Sequence, residues 1–250
     1  MSLITIGATS AIAVAVAKRF HYQGHDLLFL ARNTGKIPNF LLTPKFDGQK
    51  IETIQFNIAK DAPSQTLNKN LVNFIGDSPH ILVAAGTIEG LSSSGTNPDV
   101  AREIIDVNFR NLVILLTPII KTLEERRRGC LIFISSVSGD RGRQSNYVYG
   151  AAKAGLTIFS QGLRNRLAPS GVHVLTIKPG FVDTPMLRLA LGDQYSKIPK
   201  FLISEVEPAA NRICDGIKNR RNVIYISPIW RLIMLVICLL PESIFKRLRL

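Results

Sequence analysis

Cysteine is scarce in this 250-residue chain: Cys130, Cys214 and Cys238 stand far apart, with no C-x-x-C spacing. A disulfide framework or zinc ribbon is not expected; reduced, buried thiols in a reducing compartment are. Histidine is scarce too, and His21, His25, His80 and His173 form no ligand cluster, so no metal is expected. Long apolar runs are missing. Leu3-Ile4-Thr5-Ile6 is far too short for a signal peptide or a membrane anchor. The longest stretch, 229–240, is interrupted by Arg231 and falls short of the roughly 20 residues that span a bilayer. No repeat, low-complexity tract or linker divides the chain. Acidic residues are in deficit, 18 against 31 lysines and arginines, which leaves a net charge of +13. Such a charge asks for a partner, and nucleic acid is one kind. The basic residues are spread over many segments, however, with no zinc-finger spacing, RNP-type strand or recognition helix, so nucleic acid is not expected. Arg126-Arg127-Arg128 closes a helix ahead of a strand, where cations favour the helix C-terminal dipole.

What is present is alternation. Hydrophobic residues make up 46% of the chain, enough for one α/β domain with a full core. Strands are predicted at 2–7, 27–31, 51–56, 80–85, 130–136, 172–178 and 222–227. Helices are predicted at 11–24, 64–75, 98–126, 147–168 and 207–219, with a shorter one near 34–42 interrupted by Pro38. Strand–helix alternation implies a parallel sheet covered on both faces, with ligands bound beyond the carboxyl ends of its strands.

The first strand runs into Gly7-Ala8-Thr9-Ser10-Ala11-Ile12-Ala13 and then a helix, whose amides and dipole would face a pyrophosphate. Only Gly7 matches the G-x-G-x-x-G pattern; Ala11 and Ala13 stand at later glycine positions, and an ordinary tight turn is the alternative. The second strand ends at Arg32. An acid there suits the ribose of NAD, whereas an arginine suits the 2′-phosphate of NADP. A solvated surface arginine is the alternative. Tyr149 and Lys153, four apart on a helix, share one face. A free tyrosine has a pKa of roughly 10, and a nearby cation favours its phenolate. The pair can therefore exchange a proton with an alcohol or ketone, the alternative being a solvated helix face. Ser136, at the end of an apolar strand, precedes Tyr149 by 13 residues.

Together these residues resemble the short-chain dehydrogenases/reductases, over essentially the whole chain. Segment 7–13 is similar to the family's glycine-rich turn, with Thr9, Ser10, Ala11 and Ile12 among the residues the resemblance places at the cofactor. Ala84-Ala85-Gly86 is similar to its N-N-A-G strand end. Asn108 is similar to its helical asparagine, Ser136, Tyr149 and Lys153 to its serine and Y-x-x-x-K, and Pro179-Gly180-Phe181-Val182-Asp183-Thr184 to the segment beside the nicotinamide. Asn57 stands where many members carry an adenine-contacting Asp. The resemblance implies a single Rossmann-type, doubly wound parallel sheet of about seven strands in residues 1–228, with an apolar helical tail at 229–250 belonging to the same domain. It implies an oxidoreductase using NADPH, with NADH the lesser expectation. In that reading Tyr149 donates the proton, Lys153 lowers its pKa and holds the nicotinamide ribose, and Ser136 bonds the carbonyl oxygen. Asn108 would hold a water linking Lys153 to solvent, or else back-bond to its own helix.

Within the family, the stretch Gly139-Asp140-Arg141-Gly142-Arg143-Gln144-Ser145-Asn146-Tyr147-Val148-Tyr149-Gly150 and the tail 231–248 are similar to decaprenylphosphoryl-2-keto-ribose reductases. That implies a polyprenyl-phosphate 2-keto-pentose as substrate. A 3-ketoacyl, sphingoid or steroid ketone is the alternative within enzymes, and a non-catalytic cofactor-binding membrane scaffold the alternative outside them. Arg141 and Arg143 are expected to bind an anionic group of the substrate, since guanidinium suits phosphate. The tail is expected to lie in a membrane interface, with Trp230 as anchor and Lys246, Arg247 and Arg249 facing anionic lipid. A C-terminal helix buried at a dimer or pocket contact is the alternative. The protein is expected in the cytoplasm, attached peripherally to the inner face of the membrane, as a homo-oligomer. The apolar and basic loop 186–203 is a second candidate membrane site.

Overall fold

The computed structural model describes residues 1–88 and 97–248. Arg249 lies outside them. Seven parallel strands form the sheet: β1 (Ser2–Ile6), β2 (Asp26–Ala31), β3 (Ile51–Gln55), β4 (Pro79–Val83), β5 (Cys130–Ile134), β6 (His173–Lys178) and, after two short strands, β9 (Val223–Tyr225). The short pair is β7 (Phe181–Val182) and β8 (Ile203–Ser204). The main order is β3-β2-β1-β4-β5-β6-β9, so the direction of winding reverses between β1 and β4. That reversal opens a crevice at the carboxyl ends of the two strands.

Both faces of the sheet are buried because successive side chains point to opposite sides. Leu3, Leu27 and Phe29 enter one core layer, while Ile4, Leu28 and Leu30 enter the other. Each such fully buried side chain contributes about 1.5–3 kcal/mol. The first layer is covered by α1 (Ala11–Tyr22) and α8 (Val206–Lys218). These helices are tied together by Arg19, which donates to Asn211 Oδ1 at 2.8 Å and to Glu207 Oε2 at 2.8 Å. The second layer lies beneath α3 (Gln65–Phe74), α5 (Asn111–Arg126) and α6 (Tyr147–Leu167).

Several expectations need correction. The region near 34–42 is not one helix: a single 3-10 turn at Thr34–Lys36 is separated from the one-turn α2 (Asn39–Leu42) by Pro38. The predicted helix 98–126 begins as α4 (Pro98–Ile105), capped by Asn97 Oδ1, which accepts from Asp99 N at 2.9 Å. It then widens into a π turn at Asp106–Arg110 before α5. Segment 186–203 is not a loop but α7 (Pro185–Leu191) followed by 3-10 turns. Of the cysteines only Cys130 is fully buried; Cys214 is half-buried and Cys238 exposed.

The tail forms α9 (Pro228–Leu239) and the short α10 (Glu242–Phe245). One face of α9 is buried through Trp230 and Met234. The opposite face is exposed at Leu232, Leu235, Val236 and Leu239, the spacing of one helical stripe. Among the described residues no helix is long and apolar enough to cross a membrane.

Candidate active site

Gly7 turns the chain from β1 toward α1 with φ +85, and a Cβ there would lie 2.4 Å from Ala85 N. Only glycine allows both the left-handed backbone and this approach to the β4 end. Gly7 N and Ala8 N both donate to Leu30 O at 3.0 Å, fixing the turn over β2. Ser10 caps α1 with an extended backbone and no side-chain bond, so the amides of Ala11 and Ile12 have no serine cap over them. Ala11 and Ala13 keep ordinary negative-φ backbone, and Ala13 is fully buried. The missing glycines are therefore accommodated by alanine. Thr9 is exposed at the rim of the turn.

Arg32 follows β2 directly and is exposed, whereas Asn33 folds onto its own turn, accepting from Gly35 N at 3.0 Å. Asn57 is likewise locally occupied: its Oδ1 accepts from Ala59 N at 3.1 Å, and its backbone N donates to Asp61 Oδ2 at 2.6 Å. Together the glycine turn, the α1 amides and the exposed arginine fit a dinucleotide phosphate.

Two of the catalytic candidates, Asn108 and Lys153, meet beside Gly86. A Cβ at Gly86 would lie 2.9 Å from Asn108 Oδ1 and 3.4 Å from Lys153 Nζ. The π turn explains how Asn108 arrives there, because such turns re-aim one residue of a helix. Asn108 is fully buried, and its Nδ2 donates to Thr87 O at 2.7 Å and Ile104 O at 2.8 Å. Its Oδ1 accepts from Thr87 N at 3.3 Å. The side-chain amide is thus back-bonded and holds the loop after β4; its two donors are not free to hold a water.

Lys153 is buried and donates to Ile134 O at 3.1 Å; burial pulls its ammonium down to about 8. Ser135, missed by the sequence reading, buttresses this lysine's backbone: its hydroxyl donates to Lys153 O at 3.0 Å and pairs with Thr157 Oγ1 at 2.7 Å. Two serines in succession were the available signal, and only the second was read as functional. Tyr149, one helical turn before Lys153, is pushed up to about 12 by burial; a bond with Ser136 and the charge of Arg143 act the other way. Lys153 Nζ lies 5.7 Å from the Tyr149 ring centroid. Ser136 is buried, and its Oγ accepts from Ser138 N at 3.1 Å.

On the far side, Pro179 O accepts from Val137 N at 3.0 Å, Val182 is buried in β7, and Thr184 caps α7 by accepting from Leu187 N at 3.2 Å. Gly180 is needed because Trp230 lies on it: a Cβ would meet Trp230 Nε1 at 2.2 Å. Trp230 is 5% exposed, stands edge-on to Phe181 at 4.9 Å and donates to Leu202 O at 2.9 Å. It is a packing residue of the site's wall, not an outward anchor. Its solitary place in an apolar run gave no sign of this.

The two loop arginines part company. Arg141 Nη1 donates to Ile237 O at 2.5 Å and Leu240 O at 2.6 Å, and its Nη2 to Glu242 Oε2 at 2.9 Å. Its guanidinium also lies 3.8 Å from the Phe245 ring centroid. Arg141 is therefore spent on the end of α9, contrary to the expectation that it binds substrate. Arg143 turns inward, its Nη2 donating to Ser138 Oγ at 3.1 Å. Just before them in the chain, Asp140 bonds Lys178 Nζ and accepts from Tyr225 OH at 2.9 Å, a network the sequence reading missed.

A winding reversal carrying a glycine turn, together with the Ser136, Tyr149 and Lys153 set, defines a dinucleotide-dependent oxidoreductase architecture. The chain belongs to the short chain dehydrogenase family, whose model matches residues 2–194. It is 28% identical over 249 residues to an uncharacterized oxidoreductase from the mprA 5′ region of Streptomyces coelicolor, covering 99% of this chain and 95% of that one. An uncharacterized oxidoreductase of Mycobacterium tuberculosis is 28% identical over 247 residues, covering 98% and 96%. A solved short-chain dehydrogenase from Sphingobium yanoikuyae, in complex with NADPH, superposes with a TM-score of 0.78 at 23% identity, covering 97% and 98%. One from Burkholderia cenocepacia, in complex with NADP, gives 0.76 at 16% identity, covering 98% and 96%. The names of these relatives state no substrate.

Proposed function

We propose that the protein is an NADPH-dependent reductase of a ketone on a lipid-linked or lipid-like molecule. The observation that carries the reading is that Asn108 and Lys153 meet beside Gly86, after a strand where winding reverses, with Tyr149 one helical turn before Lys153 and bonded to Ser136. NADPH, when bound, supplies the hydride that adds to the carbonyl carbon. Gly7, Thr9, Ser10 and the amides of Ala11 and Ile12 hold its pyrophosphate, and Arg32 its 2′-phosphate. Asn57, Ala85 and Gly86 border the adenine and ribose path, and Pro179, Gly180, Val182 and Thr184 the nicotinamide end. The Ser136 hydroxyl bonds the carbonyl oxygen, where negative charge develops. Tyr149 gives that oxygen its proton as general acid, so the ketone becomes a secondary alcohol. Lys153 holds the ribose and favours the phenolate left behind.

The lipid part of the reading is supported by the surface around the site. The stripe of α9 is exposed, and Phe201, in the segment that packs against Trp230 through Leu202, is exposed as well. Arg231, Lys200, Lys246 and Arg247 are exposed in the same two segments. Exposed apolar and basic residues in these segments suit the anionic inner face of a membrane. A polyprenyl-phosphate 2-keto-pentose is the particular candidate, from the similarity of the 139–150 stretch and the tail.

The test follows NADPH consumption with a panel of apolar ketones. Wild type should turn over at least one of them, with higher kcat/KM for NADPH than for NADH. Tyr149→Phe should lower kcat by about 10²–10⁴-fold with NADPH binding retained. Turnover by the variant within about tenfold of wild type would remove Tyr149 from proton transfer.

A further inference from the structure

The loop between Ser136 and Tyr149 places a second cation at the proton donor. Arg143 Nη2 donates to Ser138 Oγ at 3.1 Å, and Asn146 Nδ2 to the same oxygen at 3.5 Å. Ser138 is itself pressed against the first turn of α6: a Cβ on Gly150 would lie 2.9 Å from Ser138 O. The guanidinium is therefore fixed beside the helical turn that carries Tyr149. Its Nε is buried and has no hydrogen-bond partner, so this charge is not spent on a neighbouring acceptor there.

The charged and titratable groups nearby divide the work. Asp140, the loop's acid, is already answered by Lys178 of β6 and Tyr225 of β9. Lys153 of α6 is turned to Ile134 O and is buried, which makes its ammonium easy to deprotonate. A guanidinium stays charged at any pH the protein experiences. Burial disfavours the charged form of both Arg143 and Tyr149; against it, Asp140 and then Tyr149 favour the guanidinium, and Ser136 and then Arg143 favour the phenolate.

We propose that Arg143 is a positioning residue for proton transfer, a permanent cation held against the first turn of α6 that keeps the Tyr149 phenol ionisable whatever the charge state of Lys153. The assignment deepens the reductase reading and rests on Tyr149 as its proton donor. It also gives the inward-facing arginine a task different from binding a substrate anion.

The decisive experiment needs no substrate. A difluorotyrosine placed at position 149 has a lower intrinsic pKa than tyrosine, and its ionisation is followed by fluorine NMR in the folded protein. Arg143→Met should raise the midpoint by roughly one pH unit, a tenfold change in proton affinity, and Arg143→Gln should do the same. Arg143→Lys, which keeps the charge, should hold the midpoint near wild type. With a working alcohol and NADP, the acid limb of oxidation, where Tyr149 must be phenolate, should move upward by the same amount in Arg143→Met. Circular dichroism establishes that each variant is folded. An unmoved midpoint in folded Arg143→Met or Arg143→Gln overturns the proposal. So does an Arg143→Lys midpoint displaced as far as that of Arg143→Met, which would make the effect one of shape. A kinetic loss confined to KM for anionic ketones, with the midpoint unchanged, would return Arg143 to substrate binding. Failure of every ketone to react would count against the reductase reading while leaving the fluorine titration interpretable.

Discussion

Helices α6 and α9 each bury an apolar face, yet they serve the site in opposite ways. α6 runs 21 residues, packs into the second core layer and carries Tyr149 and Lys153 within it. α9 runs 12 residues, buries only Trp230 and Met234, and leaves a stripe that reaches 73% exposure at Leu239. One loop serves both: Arg143 reaches toward α6 and Arg141 toward α9. The difference teaches that an apolar helix fixes chemistry where it is enclosed and offers a surface where it is not. In α6 burial tunes ionisable groups, whereas in α9 it merely seats one wall of the pocket.

The sharpest way to break this comparison is Lys153→Met in α6. A buried ammonium drawn from 10.5 down to about 8 costs about 3 kcal/mol below the lower value. Losing its bond to Ile134 O offsets part of the relief, so the variant should be more stable than wild type by roughly 2 kcal/mol at neutral pH. The folded pKa lies below the unfolded one, so the folded enzyme holds fewer protons between about 8 and 10.5. Wild-type stability therefore rises with pH through that window and falls as pH drops through about 8. Urea denaturation across this range should show the gap closing as pH rises, while turnover in the variant is lost. A gap independent of pH would mean that Lys153 is not a buried cation.

Arg141→Ala tests the hold on α9. Its bonds to Ile237 O and Leu240 O and its pair with Glu242 should together be worth about 2 kcal/mol. Limited proteolysis should then cut near α9 faster than in wild type, and Arg141→Lys should restore little, since one ammonium cannot reproduce the fork. An unchanged cutting rate would show that the apolar packing of Trp230 and Met234 is sufficient.

The smallest effect on stability is expected on the outer stripe. Leu235→Glu touches no core and should shift stability by no more than about 0.5 kcal/mol. Flotation should still change: wild type should rise with anionic liposomes, less with neutral ones, and the variant should stay behind. Wild type that never floats would remove the membrane reading and leave α9 as packing alone.

Much of this was legible beforehand because periodicity is local. All seven main strands fall where apolar runs of strand length predicted them, and Tyr149 and Lys153 share a helix face as a four-residue spacing requires. The break at Asp106–Arg110 was not legible. A π turn follows from bonds between Asn108 and Thr87, 21 residues away, and local propensity carries no trace of them. The role of Arg141 was misread for the same reason. A guanidinium suits phosphate and helix-end carbonyls alike, and only the arrival of α9, about 100 residues later, decides between them.

The sequence by itself determined the alternating α/β architecture, the glycine turn and the candidate proton donor, since each depends on residues close along the chain. Tertiary structure alone decided which arginine bonds Ser138 and which the end of α9, that Trp230 closes over Gly180, and which stripe of α9 remains outside. Those outcomes depend on side chains far apart in sequence competing for the same space and the same hydrogen-bond partners, and that competition is settled only when the sheet brings them together.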